Sequence, residues 1–130
     1  MNAQNRHDLA DTDGVPPQVR LCRQILRESL AHGVTAVEFV GAGSIPVVNR
    51  HLEGVWQPYM QVSRSNFAAL VRQLKLMADL GPDQAQGSGT IHIRSADQDA
   101  DVTLTVQRTG DGAEMLILKL PGAPPAPAAT

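Results

Sequence analysis

Few residues in this chain are of a type and at a spacing that would do chemistry. Gly41-Ala42-Gly43 resembles the start of a dinucleotide-binding loop, but that loop needs a third glycine so that the backbone can approach a pyrophosphate and a helix can follow. Here the triplet lacks it and separates two segments of strand character, so it reads as a hairpin turn. Nucleotide hydrolysis would need a Gly-x-x-x-x-Gly-Lys-Ser/Thr cradle, in which backbone N–H groups, the lysine and the hydroxyl each hold a different part of the phosphate–magnesium unit. The lysines are Lys75 and Lys119, neither follows a glycine, and a Walker-type site is excluded.

His7, His32, His51 and His92 form none of the paired spacings used for zinc. Asp97, Asp99 and Asp101 have the opening rhythm of a calcium loop without its glycine and distal glutamate, which leaves a solvated turn between strands. Cys22 is the single cysteine; it excludes an internal disulfide, suits a reducing compartment, and sits on an apolar helix face as a buried thiol. The expectation is no catalytic residue, no metal and no cofactor, hence a protein that is not an enzyme.

The 130 residues are enough for one domain with its own core. A net charge of −2, with the basic residues scattered singly, gives no footprint for nucleic acid. No apolar run approaches the ~20 residues that span a bilayer. The first residues also lack the basic start and apolar centre of a signal peptide. A soluble cytoplasmic protein without membrane insertion is expected.

The elements follow from periodicity. Residues 1–14 are polar and are expected to be loose, and 121–130, a Pro/Ala-rich tail, to be disordered. Between them, 15–120 form one domain. Pro17 to about His32 is a helix with Cys22, Ile25, Leu26, Ser29 and Leu30 on one stripe and Gly33 ending it. Strands follow from Thr35, over Ile45–Leu52 and over Val55–Val62, the last two joined at Glu53-Gly54. Pro46 and Pro58 each mark an edge or a bulge. A second helix, capped by Ser63 and ended near Gly81-Pro82, buries Phe67, Leu70, Val71, Leu74, Met77 and Ala78 and turns Arg72, Gln73, Lys75 and Asp79 outward. After a loop over 83–89, strands over Thr90–Ser95, Asp101–Arg108 and Glu114–Leu120 form an antiparallel meander. The fold class is α+β, two amphipathic helices packed on antiparallel sheet in the order α-βββ-α-βββ.

The order of short segments within 17–120 resembles the N-terminal domain that precedes the motor in the ATPases of type II secretion and type IV pilus assembly. Ser29–Phe39 stands where that family has a helix end and a Ser-Asp-Ile-His strand, and Leu52-Glu53-Gly54-Val55-Trp56 where it has Ile-Asp-Gly-Val-Leu. Leu74-Lys75-Leu76-Met77-Ala78-Asp79-Leu80 matches the end of its second helix. Gln86-Gly87-Ser88-Gly89, Asp101-Val102-Thr103 and Gly112-Ala113-Glu114 follow in the same order. The resemblance implies the family's fold and a place beside a secretion or pilus machine. Basic residues of the family's domain help engage nucleotide held by the adjoining motor. At those positions this chain has His51 and Thr103, and the first strand has Ala36 and Glu38. Arg50 is one position out of register and would face the other side of its strand.

The expected function is a non-catalytic protein-interaction or regulatory module that docks on such a machine, with a secretion or pilus motor component as partner and a homo-oligomer as a further possibility. One alternative is a small acidic homodimeric secretion chaperone of the type III kind, in which helix two buries its face in a dimer. Another is a small-ligand sensor with a pocket between helix and sheet. The candidate interaction residues are Arg50 and Glu53 at the hairpin, Arg72, Lys75 and Asp79 on helix two, and Arg94 on the later sheet.

Overall fold

The computed structural model describes residues 7–10, 14–95, 98–109 and 112–121. Of the expected tail over 121–130 all but Pro121 lies outside them, as do most of the N-terminal segment and Asp97. In chain order the elements are β1 (His7–Asp8), α1 (Pro17–Ala31), β2 (Ala36–Val40), β3 (Val47–Leu52), β4 (Val55–Gln61), α2 (Arg64–Met77), β5 (Gly87–Ser95), β6 (Gln98–Arg108) and β7 (Glu114–Lys119). The α+β class holds, and the α-βββ-α-βββ order holds from α1 onward, with β1 added before it.

The helices begin and end for local reasons. Proline in the first turn of α1 supplies a fixed φ and lacks an N–H that would have no partner there. Gly33 takes φ 73° just past its end, where the Val34 N–H reaches the Ser29 carbonyl. Ser63 caps α2 by accepting a hydrogen bond from the Asn66 N–H at 3.1 Å. The expected stop at Gly81-Pro82 is late. Asp79 adopts φ 63° and lets the Leu80 N–H bond the Lys75 carbonyl, a left-handed cap for which aspartate substitutes for glycine.

The strands form one sheet in the order β1-β5-β6-β7-β2-β3-β4. Two meanders, β2-β3-β4 and β5-β6-β7, are joined where β7 pairs antiparallel with β2. The β3–β4 hairpin closes through Glu53 (φ 53°) and Gly54 (φ 81°), the two positive angles a type I′ turn requires. Pro58 lies on β4, the last strand, and the register shifts opposite Val48/Asn49, so this proline occupies an edge strand with an irregularity. Strand β5 begins at Gly87 rather than at Thr90, because Gly89 can lie under the end of α2. A Cβ at Gly89 would stand 2.5 Å from the Ala78 carbonyl oxygen.

The loose segment expected over 1–14 is not loose at residues 7–10. His7 and Asp8 pair parallel with Ile93 and Arg94, which makes the sheet mixed. Leu9 is fully buried, its N–H bonds the Arg94 carbonyl, and its own carbonyl accepts from Arg27 at 2.6 Å. A single leucine in a polar stretch gives no periodicity to read, yet it fills a place in the core.

Both helices lie on one face of the sheet. Ile25, Leu26, Leu70 and Leu74 share a core with Val37, Phe39, Ile91, Ile93, Val102, Leu104, Leu116 and Leu118, all of one strand parity. Cys22 and Met77 join the two helices through a 3.7 Å thiol–thioether contact. No helix among the described residues is long and apolar enough to cross a membrane.

Candidate functional site

Residues of the opposite parity form the other face of the sheet, and no element of the described chain covers it. The pairing register places them in cross-strand rows. Thr103, Lys119, Ala36, His51 and Trp56 stand opposite one another across β6, β7, β2, β3 and β4. The next row is Thr105, Ile117, Glu38, Asn49 and Pro58, and the one after it Gln107, Met115, Val40, Val47 and Gln61.

The two halves of this open face differ in chemistry. On β5 and β6 it is wet: Thr90, His92, Arg94, Asp99, Asp101 and Thr103 are exposed, with His92 Nδ1 2.9 Å from Asp101 Oδ1 and Arg94 Nε donating to Asp99 Oδ1 at 2.8 Å. On β7, β2 and β3 it is apolar: Ile117, Met115, Val40 and Val47 adjoin one another and are only half-buried. Around them stand Glu38, which accepts from Asn49 Nδ2 at 3.0 Å, and the exposed Lys119. The His51 ring meets Trp56 edge-on with centroids 5.0 Å apart. Its Nδ1 lies 2.7 Å from the Thr35 hydroxyl. That hydroxyl also donates to the His51 carbonyl, so the contact ties the start of β2 to the end of β3.

The six candidate residues do not converge. Glu53 is exposed at the β3–β4 turn, Arg72 is exposed on the outer side of α2 and Asp79 just past its end, and Arg94 is on the wet half of the open face. Lys75, expected to face outward, is buried at 2 % exposure. It follows Val71 by one helical turn and therefore borders the apolar stripe. Its Nζ bonds Glu114 Oε2 at 2.6 Å and the Pro82 carbonyl at 3.2 Å, which satisfies the buried charge.

Arg50 is half-buried on the β3 arm of the hairpin. It ends a core row, opposite Val37 and Gln57, with its guanidinium carbon 4.6 Å from the centre of the Tyr59 ring and its Nε buried without a hydrogen-bond partner. Tyr59 donates to Glu28 Oε1 at 2.6 Å, and burial, followed by this carboxylate, pushes its phenol up to about 12. Its being on the face opposite His51 is the consequence of a one-residue offset in a period of two.

What sequence reasoning missed is the apolar half of the open face. The signal was present: β5 and β6 alternate, whereas Met115-Leu116-Ile117-Leu118, Val47-Val48 and Phe39-Val40 are unbroken apolar runs, the pattern of strands with apolar groups on both faces.

No family model matches the chain, and no curated protein matches it. Solved structures similar to it include the X-ray structure of the Legionella pneumophila ATPase DotB, with 14 % identity over 93 % of this chain and a TM-score of 0.48. The chain spans about a third of that ATPase, 34 % of its length.

Proposed function

We propose that this chain is a non-catalytic protein-interaction module, related to the N-terminal domain of type II secretion and type IV pilus ATPases, and that it docks on a component of such a machine through the open face of its sheet. The observation that carries this reading is the apolar half of that face. Ile117, Met115, Val40 and Val47 form a continuous patch rimmed by Lys119, Glu38 and His51, the mixture of apolar centre and polar rim that protein interfaces use. At the β4 edge an added strand is disfavoured. Pro58 has no N–H to offer an added strand, and the register shift interrupts the ladder beside it.

The register adds support from the resemblance. His51 and Thr103, which occupy positions where the family has motor-facing basic residues, fall in one row of this open face, with Lys119 between them. With a threonine and a histidine where the family has basic residues, the face favours protein contact over phosphate. The chaperone reading has less behind it, because α2 spends its apolar stripe on the sheet and leaves Leu76 as its exposed large apolar side chain.

The test is capture of purified secretion or pilus motor components by the full chain. Ile117→Lys and Val47→Lys should each weaken capture by about tenfold or more, as central interface residues do, while Arg94→Ala leaves it unchanged. Failure to bind any component, or binding indifferent to both lysine variants, would refute the proposal.

A further inference from the structure

The core rows run out at one end of the sheet, and what replaces them is charged. Strand parity that places Val106, Leu116 and Phe39 in the core places Arg108, Glu114 and Gly41 one step further along the same face. Arg108 pairs with Glu114 in register, and the Gly41 N–H bonds the Glu114 carbonyl. The first turn of α2 stands over this row, leaving a cleft of about 560 Å³ on the helix side, away from the open face. Gly41 is required there: a Cβ would come within 2.8 Å of the Phe67 ring.

Two guanidinium groups border the cleft, and among the described residues neither meets a carboxylate. Arg64 donates to the carbonyls of Gly41, Gly43 and Ser44, and Arg108 to that of Gly112. These bonds fix the position of each group without cancelling its charge. Glu114 has its own cation, since Lys75 approaches it from the core at 2.6 Å. Asp83 is the remaining carboxylate among the described lining residues, so with Glu114 held by Lys75 these groups leave one positive charge in excess. Phe67, Ala68 and Pro82 supply an apolar wall beside it.

We propose that this cleft binds a small organic anion, a phosphate or carboxylate head carried on a flat apolar body. The head lies between Arg64 and Arg108 and the body against Phe67, Ala68 and Pro82. Guanidinium groups held in place by the backbone lose little freedom on receiving an oxyanion, and the charge-assisted bonds they make are the strong kind. The volume is within the range of small-molecule sites. This inference is independent of the docking proposal, because it uses the other side of the sheet.

Phenyl phosphate is a suitable probe, titrated into the isotope-labelled full chain while backbone amide shifts are followed. Inorganic phosphate serves as the head alone and benzyl alcohol as the body alone. Saturable shifts at Gly41, Phe67, Ala68 and Ala113 are expected with phenyl phosphate, weaker binding with either fragment, and an affinity lower by about tenfold in Arg108→Gln. Ala68→Glu, an exposed helix position one turn after Arg64, should abolish binding by offering that guanidinium a carboxylate that competes with the head, while Arg72→Gln on the outer side of α2 should leave it unchanged. Absence of saturation, inorganic phosphate binding as tightly as phenyl phosphate, or affinity unaltered in both Arg108→Gln and Ala68→Glu would overturn the assignment.

Discussion

The two faces of the sheet are made by the same strands and have opposite histories of burial. On the helix side, Phe39, Ile91, Leu104, Leu116 and Leu118 are almost completely removed from water. On the other side their neighbours in sequence divide by strand. Those of β5 and β6 are polar and exposed, whereas Val40, Val47, Met115 and Ile117 are apolar and only half-buried. If the open face served only solubility, β7, β2 and β3 would alternate as β5 and β6 do. That they do not marks the half of the face where burial remains to be completed by something else, which is why the docking proposal is placed there.

The largest break in this comparison is expected in the covered face. Phe39→Ala should destabilise the chain by about 3–5 kcal/mol in urea unfolding, since it removes a fully buried aromatic ring and leaves a cavity. An effect under about 1 kcal/mol would mean that the helices do not pack as described.

Next comes the buried ion pair under α2. Lys75→Met should cost about 2–3 kcal/mol, below the full cost of orphaning a buried charge because Glu114 retains 29 % exposure. Adding Glu114→Leu should recover part of that loss, and additive losses in the double variant would show that the two groups do not interact.

Cys22 tests burial between the helices by chemistry. Desolvation pushes its thiol from 9.0 up to about 12. The folded state therefore holds the proton that the unfolded state releases, so this contribution to stability is intact below pH 9 and is lost as pH rises from 9 towards 12. A thiol reagent at pH 8 should modify Cys22 only as fast as the chain opens, and immediate modification would place the thiol at the surface.

The smallest effect sharpens the contrast most. Ile117→Thr, one residue from the core leucines Leu116 and Leu118, should change stability by no more than about 0.5 kcal/mol while weakening partner capture. A large loss of stability would mean that the open face is covered within the chain and is not an interface.

Much of the local structure could be read from the residues. Alternation in β5 and β6, the stripe of α2, the Ser63 cap, Glu53-Gly54 and Gly33 each encode their conformation within a few positions. The fold class followed from the order of those elements. Arg50 and Lys75 resisted because a charged residue announces solvent by type. Yet Arg50 lies over Tyr59 on the core face, and Lys75 meets Glu114 from a distant strand.

What the sequence by itself determined was therefore two helices and six of the strands, most of their ends, and the alternation of β5 and β6. The tertiary structure decided that β7 lies between β6 and β2, that both helices take the same face, and that Arg64, Arg108 and Gly41 close around one cleft. The reason is physical. Turns, caps and periodicity are satisfied by neighbours in the chain, whereas register between distant strands and the pairing of buried charge are settled only when segments far apart in sequence compete for the same core.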